Sequence, residues 1–293
     1  MPQHVLVPID GSDHADAGLE YCFASFPDAT LTALYVVDPT HDHETTVGSQ
    51  LTSREHAEDR GERVLERAVT RADDHGREIE TILKTGTPHT EILSLATDDV
   101  DHIVLGSHGE SPITNPFLGR VSEAVVRRTP VSTTIVPETM ATVRDRELPG
   151  DVLIPVDGSP QADAALAYAL ETFPEGSHTV FHALSLPFDG PRSAVTGTYL
   201  EAVVDDREER AEEILESATD VADERELAVE TEIADGTPAQ SIVEYAERND
   251  CDQIVMGSHG RSLGARLLGS VAERVARRSA RTVTLVQGDL TAA

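Results

Sequence analysis

Short apolar runs alternate with longer stretches of helical periodicity along the first half of the chain. The predicted strands are residues 4–9, 30–37, 79–84, 101–105 and 132–136. The predicted helices are residues 12–26 (starting at Ser12 or Asp13), 51–75, 88–97 and 119–128. Strands that are apolar throughout, each followed by a helix, indicate a parallel sheet with helices on both faces. The pattern therefore predicts a doubly wound α/β fold, in which ligands bind beyond the carboxyl ends of the strands.

The second half of the chain repeats the first. VLVPIDGSDHADAGLEY, at residues 5–21, recurs as VLIPVDGSPQADAALAY at an offset of 147 residues, and KTGTPHTEIL recurs as ADGTPAQSIV at an offset of 150. The tetrapeptide GSHG occurs in both halves at an offset of 151. We therefore predict two tandem five-stranded domains, residues 1–140 and 151–293, joined by a polar linker over residues 141–150.

Acidic residues dominate both halves. The formal net charge is −30; residues 1–148 carry 26 acidic and 12 basic side chains, and residues 149–293 carry 27 and 11. Because Lys84 is the only lysine, nearly every cation is an arginine. This composition favours a protein of a halophile, adapted to molar salt, where the Debye length is roughly 3 Å; an ordinary acidic protein is the alternative. Both interpretations argue against a nucleic-acid partner, because a protein needs a basic face to bind nucleic acid.

Other bulk features indicate a soluble cytoplasmic protein. No apolar run approaches the length needed to cross a bilayer, and the first predicted strand begins almost at the N-terminus without a basic leader. Cys22 and Cys251 lie in different halves, so no disulfide framework is expected. Both cysteines occupy positions typical of small buried residues.

The GSHG segments have the composition of an anion-binding turn. In IVMGSHG the strand runs into Gly257, and helical periodicity resumes at Gly269, so backbone N–H groups of a turn and a helix start are expected to converge. Ser270 adds a hydroxyl donor. The alternative is a plain strand-to-helix loop with Ser270 as its N-cap. The pattern matches neither the Walker loop nor the dinucleotide fingerprint.

The order of these motifs resembles the universal stress protein family across both halves: VxVPxDGS, GTP before a helix, then GSHG, a spacer and a glycine followed by Ser or Thr. ATP-binding members have G, two residues, G, nine residues, then G with Ser or Thr. The first copy has Gly106, Gly109 and Gly119 at the full spacing, but Arg120 replaces the hydroxyl residue. The second has Gly257, Gly260, Gly269 and Ser270, but a spacer of eight residues.

The resemblance implies an adenine nucleotide alpha hydrolase-like fold that binds ATP, with Mg²⁺ beside the nucleotide near Asp10 and Asp157. These aspartates are alternatively turn residues. Val36, Leu184, Leu105 and Met256 are placed like residues that line the adenine pocket. The glycines, the two histidines His108 and His259, and the residues after the third glycine are placed around ribose and phosphates. That last group comprises Arg120, Val121 and Ser122 in the first copy, and Ser270 and Val271 in the second.

Arg120 can be interpreted in two ways. Its guanidinium can grip a phosphate, or its bulk can fill the pocket and weaken the first site. We expect the second copy to be the better ATP site. The family also implies pairing of the two domains through their last strands, and further homodimerisation stays open.

Three functional hypotheses follow: a nucleotide-binding stress regulator, a structural or interaction module without nucleotide, and, least favoured, a slow ATPase or ATP-using enzyme. No catalytic residue is assigned. HDHE, at residues 41–44, is interpreted as a solvated loop rather than a metal site. The arginines of the last helix are interpreted as complementing the helix dipole.

Overall fold

The computed structural model describes residues 1–39, 53–96, 100–108, 118–137, 139–186, 199–259 and 268–288. The chain divides into two compact units, one comprising Met1–Leu148 and the other beginning at Pro149. Each unit is a separate α/β domain, called here the first and the second domain. No helix in the described ranges is both long and apolar enough to span a membrane.

The first domain is a five-stranded parallel sheet with the strand order β3-β2-β1-β4-β5. Its elements are β1 (His4–Pro8), α1 (Asp13–Ser25), β2 (Thr30–Val37), α2 (Ser53–Asp74), β3 (Glu80–Thr85), α3 (Pro88–Leu95), β4 (His102–Gly106), α4 (Arg120–Val126), β5 (Ser132–Val136) and α5 (Met140–Arg144).

The second domain repeats this topology, with the strand order β8-β7-β6-β9-β10 and every pairing parallel. Its elements are β6 (Asp151–Pro155), α6 (Pro160–Thr172), β7 (Ser177–Leu184), α7 (Tyr199–Asp223), β8 (Val229–Asp235), α8 (Pro238–Arg248), β9 (Gln253–Gly257), α9 (Ser270–Arg278) and β10 (Thr282–Val286). The predicted fold class, a doubly wound parallel sheet of five strands in each copy, is confirmed.

The apolar strands form the core of each domain. Leu6 in β1, Ile103 in β4 and Leu153 in β6 have no exposed surface, because helices cover both faces of the sheet. The edge strands β3 and β8 are largely exposed or half-buried. Cys22 and Cys251 are buried free thiols, as predicted. Burial raises the pKa of the Cys251 thiol to about 11, so this side chain packs as a small apolar residue.

The predicted elements of the first domain end within two residues of the observed ones, and the strands at residues 30–37 and 132–136 match at both ends. Residues 51, 52 and 97, which the predicted helices included, lie outside the described residues. The segment predicted as a linker begins within helix α5. Val143 of α5 is buried, and the Arg144 guanidinium lies 2.6 Å from the Glu20 carboxylate in α1. Its first residues therefore pack on the first domain.

Candidate functional site

The residues predicted from the motifs meet at the topological switch point of each sheet. Within the sheet, β2 and β3 lie beyond one edge of β1, and β4 pairs with the opposite edge of β1. Loops that follow β1 and β4 therefore diverge and leave a crevice at the carboxyl ends of the strands. The structure brings Asp10, Leu105 and Gly106 to this edge in the first domain and Asp157, Met256 and Gly257 to it in the second.

The DGS sequence forms the same turn in both copies. The Oδ1 atom of Asp10 accepts a hydrogen bond of 3.0 Å from the Ser12 amide, and Asp157 Oδ1 accepts one of 3.0 Å from Ser159. The glycine between them has φ of +88° in the first copy and +70° in the second, which explains why this position is glycine. This is the turn geometry given above as the alternative role of the aspartates. It also fixes each carboxylate at its strand end.

The first glycine of GSHG is required by packing. A Cβ on Gly106 would lie 2.6 Å from the backbone carbonyl of His14, and one on Gly257 would lie 2.8 Å from the carbonyl oxygen of Gln161. Neither glycine has a positive φ. The sequence predicts that these glycines belong to an anion-binding turn. In the structure they allow the first turn of α1 or α6 to contact the strand end.

The third glycine closes the loop through its own amide. Gly119 N–H donates to the Ser107 carbonyl at 2.6 Å, and Gly269 N–H donates to the Ser258 carbonyl at 2.8 Å. Each glycine is the N-cap of its helix. Ser270 is therefore the first residue of α9, and the alternative in which Ser270 is the N-cap is wrong. These two amides are therefore engaged within the protein and do not point to an anion.

The residues that follow the third glycine differ in exposure. Ser122 is buried, and its hydroxyl donates to the Gly106 carbonyl at 2.8 Å, so it is engaged in the loop. Arg120 and Ser270 are exposed at the first positions of α4 and α9, and Val121 and Val271 are half-buried. Arg120 is exposed rather than packed in the core, and its role toward phosphate stays a prediction.

Each GSHG histidine is held by the serine before it. The Ser107 hydroxyl lies 2.9 Å from His108 Nδ1, and the Ser258 hydroxyl lies 2.8 Å from His259 Nδ1. The His108 ring also faces His14, with ring centroids 5.5 Å apart. Burial lowers the pKa of His259 and so favours its neutral form.

Val36 and Leu184, predicted to line the adenine pocket, are not equivalent positions. Val37 O accepts the Gly86 amide at 2.9 Å, and Leu184 O accepts the Gly236 amide at 3.1 Å, so Leu184 corresponds to Val37. Adjacent residues of a strand face opposite sides of the sheet. Val36 and Leu184 therefore point to opposite faces of their sheets, and at most one of them has the predicted role.

An acidic side chain of the first helix lies within the electrostatic influence of the DGS aspartate in both domains. Burial raises the pKa of Asp163 in α6, and the nearby charge of Asp157 raises it further. At the equivalent position of α1, burial also raises the pKa of Asp16, but Arg71 opposes the effect from 2.7 Å. Of the described residues, no group of three or more His, Cys, Asp or Glu is arranged to hold a metal ion.

Two glycines of the predicted site, Gly109 and Gly260, lie outside the described residues, and so does the HDHE segment at residues 41–44 that was interpreted as a solvated loop. A cavity of about 450 Å³ lies elsewhere, between α7 and β8, and is lined by Glu212, Glu216 and Glu232 among others. This cavity does not include any residue predicted from the motifs. Of the arginines in α9, Arg277 lies 3.6 Å from Glu273, one helical turn away.

The sequence matches the model of the universal stress protein family twice, over residues 1–137 and 150–287. The chain belongs to the universal stress protein family. A universal stress protein of Mycolicibacterium smegmatis is 25% identical over 97% of this chain and 96% of its own length. One from Methanocaldococcus jannaschii is 34% identical over 46% of this chain and 81% of its own length.

A solved universal stress protein matches this chain over both domains. The crystal structure of one from Archaeoglobus fulgidus covers 98% of this chain and 98% of its own, with a TM-score of 0.69 and 26% identity. The family predicted from the motifs and the Rossmann-like fold of both copies are therefore confirmed.

Proposed function

We propose that this universal stress protein binds an adenine nucleotide, ATP in particular, at the carboxyl ends of its strands and acts in stress regulation. The observation that carries the proposal is the convergence, in each domain, of the DGS aspartate and the GSHG histidine at the ends of the paired strands β1 and β4, or β6 and β9. A carboxylate and an imidazole at a switch point suit a ligand that combines sugar hydroxyls with phosphates.

The second domain is proposed as the more competent site. Its Ser270 hydroxyl is exposed at the start of α9, whereas the first domain has Arg120 there and engages Ser122 in the loop. Mg²⁺ is proposed to enter with the nucleotide beside the Asp157 carboxylate, an oxygen ligand of the kind that this cation prefers.

Titration calorimetry with ATP and Mg²⁺ tests the proposal on the wild type and on Asp157→Asn and Asp10→Asn. Asparagine keeps the turn acceptor but removes the charge, so each variant should fold. We expect one site that weakens about tenfold in Asp157→Asn, the loss of one charge-assisted hydrogen bond, and that is unchanged in Asp10→Asn. Equal effects of both variants would reject the preference for the second domain. The titration is made in molar KCl because the net charge is −30.

An interaction module without nucleotide is the second candidate. It is favoured by the internal hydrogen bonds of the Gly119 and Gly269 amides and by the packing role of Gly106 and Gly257, which explain these glycines without a ligand. An absence of both binding and co-purified nucleotide in the wild type would support it. Pairing through the last strands, dimerisation, a halophilic source and a cytoplasmic location stay predictions.

A further inference from the structure

A glutamine beside the second GSHG turn determines where the proton lies on His259. The Ser258 hydroxyl is 2.8 Å from His259 Nδ1 and 3.0 Å from Oε1 of Gln287, the residue that follows β10. An amide oxygen only accepts, so the single proton of the hydroxyl is donated to Gln287. Ser258 must therefore accept from His259, and Nδ1 carries the N–H.

The other ring nitrogen of His259 is then a bare acceptor. A neutral imidazole has one N–H, so Nε2 presents a lone pair. Nε2 is buried and has no hydrogen-bond partner among the described residues. Because an unsatisfied buried acceptor is costly, such a group indicates a donor that binds there. Phosphate oxygens are acceptors and cannot fill this role, whereas a hydroxyl or an amino group can.

The first domain lacks this arrangement. Ser107 lies 2.9 Å from His108 Nδ1, but the residue after β5 is Pro137, which has no side-chain acceptor. The Ser107 proton can then be donated to Nδ1, which leaves the proton of His108 on Nε2. An N–H at that position suits a phosphate oxygen. The constraint that holds the proton of His259 on Nδ1 therefore has no counterpart at Pro137, although the backbone settings match.

We propose that Gln287 holds His259 as the Nδ1–H tautomer, so that Nε2 accepts a hydrogen bond from a ribose hydroxyl of a nucleotide bound to the second domain. The inference rests on the proposed function and names the group recognised at that site. Asp157, which follows β6 beside β9, supplies a second acceptor at the same edge. Two acceptors at one sheet edge suit the hydroxyl groups of a ribose, which can donate to both.

The tautomer is read from the ring nitrogens in a long-range ¹H–¹⁵N NMR spectrum of the wild type, assigned by the resonances lost in His259→Gln. We expect a protonated Nδ1 and an unprotonated Nε2 for His259. Gln287→Leu should release the Ser258 proton and move the ring proton toward Nε2. Pro137→Gln is the matched converse, because it introduces an acceptor beside Ser107 and should shift His108 toward the Nδ1–H form.

Binding of analogues tests the ligand group. ATP should bind about tenfold more tightly than 2′-deoxy-ATP or 3′-deoxy-ATP, whichever removes the bonded hydroxyl, since one buried hydrogen bond is lost. In Gln287→Leu this ratio should fall toward one. Inosine triphosphate lacks the adenine amino group. If it binds more weakly than ATP while both deoxy analogues bind as tightly as ATP, the assignment to ribose is overturned.

The failures of the two proposals are distinguishable. An unprotonated Nδ1 in wild-type His259 overturns the tautomer inference but leaves nucleotide binding standing. The absence of ATP binding overturns the proposed function and the ribose assignment together, and the spectrum still reports the tautomer.

Discussion

Glu20 and Ala167 occupy the same position of the repeat, in the middle of helices α1 and α6, but their surroundings differ. Glu20 has a side chain only 2% exposed and contacts two arginines and a histidine: Arg144 at 2.6 Å, His75 at 3.0 Å and Arg71 at 3.4 Å. Burial alone would raise its pKa, but the hydrogen bonds and charges of Arg144 and His75 outweigh it, so the pKa is lowered. At the position of Arg71 the second domain has Val221.

Features that occur in both domains are those required by the fold, whereas the ionic cluster around Glu20 occurs in one domain only. The buried strands, the DGS turns and the close contact of a glycine with the first helix recur in both domains. The ionic cluster belongs to the first domain alone, and it includes Arg144 of α5, which lies beyond the repeated elements. A shared backbone therefore carries two different sets of buried polar groups, one for attaching α5 and another, around Gln287, at the second site.

The largest expected effect concerns the feature that both domains share. Gly106→Ala places a Cβ 2.6 Å from the His14 backbone, which cannot move without displacing α1. We expect the first domain to lose about 3 kcal/mol of unfolding free energy, the upper range for overpacking. Hydrogen exchange measured by mass spectrometry in denaturant resolves the two domains.

Gly18→Ala is the matched control. Its Cβ would have no contact below 3.5 Å, and alanine favours the helix interior by about 1 kcal/mol. Destabilisation by this variant as large as by Gly106→Ala would contradict the steric explanation.

A smaller effect is expected from making the first domain resemble the second with Glu20→Ala. Removing the carboxylate leaves Arg71, His75 and Arg144 without their shared partner. Because the latter two are 40% and 47% exposed, we expect a loss of about 2 kcal/mol, below the usual cost of breaking a fully buried pair. Denaturant unfolding at pH 7 measures it. Glu171→Ala, which breaks an exposed pair with Arg225, should cost less than about 1 kcal/mol.

The last effect is absent at pH 7 and appears only in acid. His102 is completely buried, and burial lowers its pKa from 6.5 to about 3. Below pH 6.5 the unfolded chain binds a proton that the folded domain does not bind, so stability is complete above that pH and is lost as the pH falls toward 3. At pH 5 the loss is about 2 kcal/mol, from about 1.36 kcal/mol per pKa unit.

His102→Gln tests this, because the second domain has buried Gln253 at the same position. The variant should match the wild type at pH 7 and exceed its stability at pH 5 in the first domain. Equal pH dependence in variant and wild type would show that His102 is not responsible. His178→Leu, which copies Leu31 of the first domain, should change the acid response of the second domain only.

The sequence was sufficient for the fold because the fold depends on regular patterns. Apolar strands and helical periodicity predicted the elements of the first domain within two residues, and the repeat extended the prediction to the second. It was insufficient for α5, since the polar composition of residues 141–150 indicates a linker, and the attachment of this helix depends on Glu20, a residue distant in sequence.

The sequence predicted which residues lie at the candidate site but not the contacts that they make there. The motifs located Asp10, Asp157 and both histidines at the strand ends. They did not show that Gly106 is needed for helix packing or that Ser122 is engaged with its carbonyl, because such contacts join segments that the motif treats separately. The repeat shows that Gln287 stands where the first copy has Pro137. The role of Gln287 is evident only from the hydrogen bond between its side chain and Ser258.

The most direct test of the central claim is hydrogen exchange of the wild type in molar KCl with and without ATP and Mg²⁺. The account predicts slower exchange in peptides that contain Asp157 and His259, at the ends of β6 and β9, and little change at Asp10 and His108. Protection confined to the first domain would contradict the assignment of the site, and no protection in either domain would contradict nucleotide binding itself.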